Sequence, residues 1–282
     1  MRLITLANDR LTVTLSTLGA EMQSIVEADG TQRLWNGDAR FWTGRAPVLF
    51  PICGGLKDDT YYLDGQAYSL PKHGFARKSE WTLEEVTADR AVFLLTARHP
   101  GFPFRYELRA SYALRGSSIR IGYTVKNLDD RAFWCSVGSH EALATTGGLE
   151  HYTVVFEQPE RLARYELVGN LIKTEPEIMA EEAKELPLKT EYFAVDALVF
   201  PYLKSRSVTL KNDLNPKTVR VDYDGMDVLM FWTKPGADYF CIEPWCNAPD
   251  FMDTDQQIAH KPGCMKLEPG EQVEKVHTIT FG

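Results

Sequence analysis

A carboxylate inside an aromatic segment is the residue of this sequence with the clearest chemical potential. Glu243 lies within the apolar stretch 239–245, which reads YFCIEPW. A glutamate is seldom fully buried unless it is paired or functional. Apolar surroundings disfavour its charged form, raise its pKa and make it a proton-transfer group near neutral pH. The alternative is a surface-facing glutamate on an edge strand, and perturbed carboxylates also occur in structural pairs.

Two histidines stand at positions where ligand groups are often found. His140 ends the triplet GSH after the apolar segment 132–137, and His73 lies with Arg77 in the loop sequence KHGFAR. Side chains on loops and strand ends are held by a rigid scaffold. A structural role is an equal alternative for His73. With Glu243, this set suits acid–base chemistry on a small polar ligand. Neighbouring aromatic rings favour a sugar.

The element that must position Glu243 is a predicted hairpin. Segment 227–233 indicates a strand that is apolar on both faces. Residues 235–238 indicate a turn, and residues 239–243 indicate the strand that returns from it. Side chains of a strand alternate between the two faces of a sheet. The face that carries Glu243 therefore also carries Tyr239, Cys241 and Trp245, whereas the opposite face carries Phe240 and Ile242.

Short strands separated by turn signals are predicted along the rest of the chain. The only plausible helical turn is 178–184, which we interpret as a short surface helix or a solvated loop, and 274–281 indicates a final edge strand. No composition break marks a boundary within 1–282. The pattern predicts an all-β protein that forms a single sandwich domain. Further strands are expected at 11–16, 19–26, 80–86, 91–97, 105–114, 118–125, 151–157, 207–210 and 218–223.

Composition excludes several classes of function. A net charge of −8 and a pI near 5.4 argue against a nucleic-acid partner. No apolar run approaches the roughly 20 residues that span a bilayer, and the N-terminus is too short and polar for a signal peptide. The five scattered cysteines lack CxxC pairs, which indicates reduced thiols in a cytoplasmic protein. The chain contains no G-x-S-x-G, P-loop or HExxH motif.

Five motifs together resemble the aldose 1-epimerase (galactose mutarotase) family, closest to its bacterial LacX-like branch. They occur in the family's order over nearly the whole chain. The resemblance implies a galactose mutarotase-like β-supersandwich with few short helices. It also implies an isomerase that interconverts the α and β anomers of a hexose or related sugar in carbohydrate metabolism. The motifs are Ala46–Pro51, Lys72–Arg77, Gly138–His140, Asp196–Leu198 and Ile242–Trp245.

The resemblance also implies roles for individual residues. Glu243 would take the proton of the anomeric hydroxyl, and His140 would protonate the ring oxygen. His73 would bind near that oxygen, Asp196 would hold ring hydroxyls, and Arg77 would shape or charge the loop. Such chemistry needs no metal and no organic cofactor. The expected partner is a small sugar, and the oligomeric state stays open. The remaining expected substrate-binding residues are Trp245 and Lys57.

Two positions depart from the family pattern. Gly55 stands where the family usually has an arginine that reaches the sugar, and Lys57 or Arg45 can substitute for it. Glu141 replaces the proline that usually follows the histidine, and its charge would raise the pKa of His140 if the two approached. These departures favour a changed sugar or a weakened enzyme over standard galactose specificity.

Two alternatives remain. A hexose-6-phosphate 1-epimerase needs a cationic cluster for the phosphate, for which Arg45, Lys57, Lys72 and Arg77 are candidates. A sugar-binding protein without catalysis would share the fold, because fold does not fix function.

Overall fold

The computed structural model describes residues 1–282 and consists of antiparallel β-strands without any α-helix. Its helical segments are short 3-10 turns, and none has the length and apolar character needed to cross a membrane. The strands are β1 (Leu3–Ala7), β2 (Leu11–Ser16), β3 (Met22–Glu27), β4 (Thr60–Leu63), β5 (Gln66–Ser69), β6 (Thr82–Val86), β7 (Arg90–Leu95), β8 (Tyr106–Arg115), β9 (Ser118–Asn127), β10 (Phe133–Cys135), β11 (Glu141–Ala144), β12 (Tyr152–Arg164), β13 (Leu167–Val168), β14 (Leu171–Ile172), β15 (Glu177–Pro187), β16 (Leu198–Pro201), β17 (Ser207–Asn212), β18 (Thr218–Asp222), β19 (Val228–Trp232), β20 (Tyr239–Trp245), β21 (Met265–Leu267) and β22 (Gln272–Phe281). The 3-10 turns are Lys57–Asp59, Ala76–Lys78, Leu149–His151, Thr190–Phe193 and Ile258–His260.

Two sheets form the body of the molecule. A nine-stranded sheet has the order β15-β12-β17-β18-β22-β9-β8-β7-β6, and a four-stranded sheet has the order β11-β20-β19-β16. A three-stranded sheet (β1-β2-β3) and three two-stranded ribbons complete the topology. The predicted all-β sandwich is confirmed, because two large antiparallel sheets enclose one continuous core and no α-helix occurs.

The core lies between the two large sheets. It is a continuous cluster of 63 buried residues that runs from Ile4 to Phe281. Phe231 of the four-stranded sheet contacts Phe240 at 5.5 Å and Phe156 of the nine-stranded sheet at 6.5 Å between ring centroids. Apolar burial of this extent is the main favourable contribution to folding.

The hairpin predicted around Glu243 is present as β19 and β20. Met230 pairs with Glu243 across the ladder, and every residue of β20 is buried. Phe240 and Ile242 point into the large core, whereas Tyr239 and Cys241 pack in a separate small cluster. The predicted alternation of faces is therefore confirmed.

Two secondary-structure predictions were wrong. Segment 178–184 is neither a helix nor a loop but part of β15, which pairs with β12 at one edge of the nine-stranded sheet. Ladder pairing overrides its helix-favouring alanines and glutamates. The final strand β22 is not at an edge, since it lies between β18 and β9. Its neighbours are distant in sequence, so no local pattern reveals its place.

Candidate active site

One cavity of about 270 Å³ gathers most of the predicted site residues. Its volume is close to the lower end of the roughly 300–1,000 Å³ of small-molecule sites, which suits a small ligand such as a monosaccharide. The predicted residues that line it are Glu243, His140, His73, Asp196, Arg77 and Trp245.

Glu243 reaches the cavity from β20 and is 1% exposed. Burial raises the pKa of this carboxyl well above its usual 4.5, and Glu141 and Asp196 add to the rise in pKa while the ammonium of Lys72 opposes it. The raised pKa predicted from the aromatic surroundings of Glu243 is thus confirmed. Burial of an unpaired charge is costly, which favours the protonated form of this carboxyl.

His140 lies where the chain enters β11. Gly138 brings it there, because its backbone bridges both Leu49 and Trp245, and a Cβ on Gly138 would lie 2.7 Å from the sulfur of Cys53. The imidazole packs against Trp42, with ring centroids 4.8 Å apart, and burial lowers its pKa to about 3. The imidazole is therefore neutral in the empty cavity.

His140 and Glu243 lie side by side at the cavity. Nε2 of His140 lies 3.3 Å from Oε2 of Glu243, yet the two do not form an aligned hydrogen bond, and this buried Oε2 has no hydrogen-bond partner. A buried carboxylate oxygen without a partner is costly. Because Glu243 and His140 both line the cavity, a ligand hydroxyl there can supply the missing hydrogen bond.

The loop that carries His73 is fixed to the loop beside it. The amide of His73 donates to the carbonyl of Gly54 (2.8 Å), and the amide of Gly54 donates back to Nδ1 of His73 (3.1 Å). His73 has φ +68°, and a Cβ on Gly74 would lie 2.1 Å from the carbonyl of Phe50, so only glycine fits there. Burial lowers the pKa of His73 well below 6.5, which leaves a neutral ring whose Nε2–H is the free donor.

Asp196 and Trp245 line the wall of the cavity. Oδ1 of Asp196 accepts a hydrogen bond from the amide of Ala197 (2.8 Å), which fixes the carboxylate on the turn before β16. The indole of Trp245 donates to the carbonyl of Ser139 (2.8 Å) and packs edge-on against His73. Trp245 therefore offers a ring surface rather than a hydrogen bond.

The structure does not bring Lys57 to this cavity. Its ammonium donates to the carbonyl of Met252 (3.2 Å), and Lys57 is not among the lining residues. The guanidinium of Arg45 also lies elsewhere, donating to the side chain of Gln23. Of the four cations considered for a phosphate, only Lys72 and Arg77 line the cavity.

No side chain fits at Gly55. A Cβ there would lie 2.6 Å from Cβ of Asn170 and 2.8 Å from its carbonyl oxygen. Asn170 sits in the turn between β13 and β14, and Leu167 of β13 lines the cavity. The hairpin thus occupies the path that a side chain at position 55 would take.

Glu141 points away from the cavity that His140 and Glu243 line. Its carboxylate meets Nε2 of His277 at 2.9 Å inside the sandwich. The expected rise in the pKa of His140 does not occur, since burial dominates and lowers that pKa. Consecutive side chains of an extended chain face opposite ways, which separates the charge of Glu141 from His140.

A metal ion could be held by one set of side chains. The ligand atoms of His140, Cys241 and Glu243 lie within 4.8 Å of one another. Burial, followed by the negative charge of Glu243, raises the pKa of the Cys241 thiol, and Lys72 and Arg77 also line this cavity. A high thiol pKa and nearby cations both oppose binding of a cation.

Several lining residues were not predicted. Trp232 and Met230 lie on the strand β19, and the ladder pairing of Met230 with Glu243 puts both on the face of Glu243. The alternation of that strand could have identified them. Trp42 and Lys234 come from loops, where no sequence period shows which way a side chain points.

Comparison with known proteins shows to which family the chain belongs. The family model described as aldose 1-epimerase matches residues 2–280. The chain belongs to the aldose 1-epimerase family. Two LacX proteins of Lactococcus lactis subsp. lactis, one plasmid-borne and one chromosomal, are each 33% identical to it over 295 residues, covering 99% of both chains.

Solved structures of the family agree with this fold. A galactose mutarotase related enzyme from Lactobacillus acidophilus has a TM-score of 0.92 at 28% identity, covering 100% of this chain and 97% of that one. A galactose mutarotase-like protein from Lactobacillus casei has a TM-score of 0.91 at 24% identity, with both chains fully covered. A putative aldose 1-epimerase from Escherichia coli has a TM-score of 0.78 at 15% identity, covering 100% of this chain and 99% of that one.

Proposed function

We propose that this protein is an aldose 1-epimerase that interconverts the α and β anomers of a hexose or related sugar by acid–base ring opening and reclosure. The observation that carries the proposal is the 3.3 Å approach of His140 Nε2 and Glu243 Oε2 at the cavity. The anomeric hydroxyl oxygen and the ring oxygen of an aldose share one carbon. Two groups this close together can therefore exchange protons with both oxygens at the same time.

The protons balance on the pair itself. The raised pKa of Glu243 and the lowered pKa of His140 mean that, in the empty cavity, a proton held by the two groups lies on the carboxyl. Transfer of that proton to His140 creates a carboxylate and an imidazolium. The carboxylate of Glu243 then takes the proton of the anomeric hydroxyl while His140 delivers its proton to the ring oxygen. The C1–O5 bond breaks, an open-chain aldehyde forms, and the pair again holds one proton on the carboxyl.

Reclosure on the other face reverses these steps after rotation about the C1–C2 bond. In this scheme the Nε2–H of His73 donates to the sugar near its ring oxygen, and Asp196 accepts from ring hydroxyls. Trp42 and Trp245 present ring surfaces to its C–H groups. Arg77, whose guanidinium donates to the carbonyl of Lys72 (3.0 Å), braces the loop of His73. The expected gain from positioned proton transfer is about 100- to 10,000-fold for each group.

Anomer exchange measured by polarimetry or by saturation-transfer NMR on a panel of aldoses tests the proposal. Glu243→Gln and His140→Asn should each reduce kcat by about 100-fold or more while sugar binding persists. A wild-type protein that binds an aldose without accelerating its exchange would instead be a sugar-binding protein of the same fold.

A further inference from the structure

The cavity carries more positive than negative side chains. Lys72, Arg77 and Lys234 line it against the carboxyls of Asp196 and Glu243. Asp196 and Glu243 are the two acidic residues of the lining, so the cations outnumber them three to two. The protein as a whole has a net charge of −8, so the cavity opposes the sign of the molecule.

None of these cations has an ionic partner within the protein. Lys72, Arg77 and Lys234 take part in none of the ion pairs of the structure; for Arg77 this is unusual, because most other arginines do. Nε of Arg77 is buried without any hydrogen-bond partner, and burial lowers its pKa. A buried donor left unsatisfied is costly unless a ligand completes it.

Lys72 and Arg77 belong to the segment that also carries His73, and Lys234 follows β19. All three line the same cavity as His140 and Glu243. An anionic substituent of a sugar bound between His140 and Glu243 can therefore contact these cations.

We infer that the substrate is an aldose with an anionic group, a phosphate or a carboxylate, bound by Lys72, Lys234 and Arg77. This inference rests on the proposed function for the aldose itself. Position 55 cannot supply a further cation, because a Cβ there would lie 2.6 Å from Cβ of Asn170.

Isothermal titration calorimetry with anomerically equilibrated ligands tests the inference on the wild-type protein. Glucose and galactose are compared with their 6-phosphates and with glucuronate and galacturonate. At least one anionic series should bind about tenfold or more tightly than the neutral hexoses, since hydrogen bonds between ionised partners are roughly twice as strong as neutral ones. The phosphate and uronate arms identify which anion the cavity accepts.

The same titrations on variants locate the subsite. Lys72→Gln and Lys234→Gln should each reduce the ratio of anionic to neutral affinity by about fivefold or more, and raised salt should shrink the ratio in the wild type. Lys57→Gln is the matched control, because its ammonium contacts Met252 outside the cavity, and its ratio should not change. Neutral hexoses that bind as tightly as both anionic series, or a ratio unaffected by Lys72→Gln and Lys234→Gln, would overturn the inference.

Failure of this inference is distinguishable from failure of the proposed function. If the protein accelerates anomer exchange of neutral hexoses and shows no preference for anionic sugars, the proposed epimerase activity is supported and the anionic subsite is contradicted. If the protein binds a sugar phosphate or uronate tightly but does not accelerate its anomer exchange, the anionic subsite is supported and the proposed epimerase activity is contradicted.

Discussion

Oε1 of Glu141 lies 2.9 Å from Nε2 of His277, and the two side chains are only 3% and 0% exposed. β11 carries Glu141 in the four-stranded sheet, and β22 carries His277 in the nine-stranded sheet. The pair therefore ties the two sheets together one residue along the chain from His140. The protein thus holds two Glu–His pairs, one facing the cavity and one inside the sandwich.

We expect the inner pair to matter for stability. Glu141→Ala or His277→Ala should each lower the free energy of unfolding by about 3–5 kcal/mol, because removal of one partner leaves the other buried and unpaired. The double variant should lose less than the sum of the two single losses, as for residues in contact. Urea unfolding of all four proteins measures the coupling, and strictly additive losses would mean that the two groups do not interact.

Glu141 should also tune the reaction through Glu243. Its negative charge contributes to the raised pKa of Glu243. Glu141→Gln should therefore lower that pKa and move the acidic limb of the pH profile of kcat to lower pH, with KM little changed. Glu160→Gln is a matched control, since Glu160 is also buried but receives the backbone amides of Lys204 and Ser205 away from the cavity. An unshifted limb in Glu141→Gln would restrict Glu141 to a structural role.

His140 should make the fold sensitive to acid. Its pKa is about 3 in the folded protein and 6.5 ordinarily, so between these values the unfolded chain binds a proton that the folded protein does not. Stability must then fall as the pH drops from 6.5 toward 3. His140→Asn should flatten this part of the curve of unfolding free energy against pH, measured by denaturant titration at several pH values. An identical slope in both proteins would contradict burial as the cause of the low pKa.

An arginine at position 55 should lower the stability of the fold without improving activity. Gly55→Arg places its Cβ 2.6 Å from Cβ of Asn170, and overpacking of this kind costs about 1–3 kcal/mol. Thermal unfolding should show a lower Tm, and anomer exchange should not improve. Asn170→Gly in the same chain should recover only part of the loss, because the carbonyl oxygen of residue 170 remains 2.8 Å away. A full recovery would show that backbone contact is unimportant there.

Much of the site's local geometry was readable from the sequence. The hairpin of β19 and β20, and the face on which Glu243 lies, follow from period-two alternation and a turn, both of which are local properties. The raised pKa of Glu243 followed from the apolar residues around it in the chain. Loop motifs indicated His73, His140 and Asp196, although their roles remain predictions.

Tertiary structure alone decided the rest. The 3.3 Å distance between His140 and Glu243 depends on β11 pairing with β20, and the central position of β22 depends on partners far away in the chain. The direction in which the side chain of a loop lysine points is likewise determined by residues far away in the chain. Lys57 precedes two residues with positive φ and turns to Met252, whereas Lys72 lines the cavity. Sequence fixes which side chains are available and how they alternate along a strand. Long-range backbone pairing determines which of them meet.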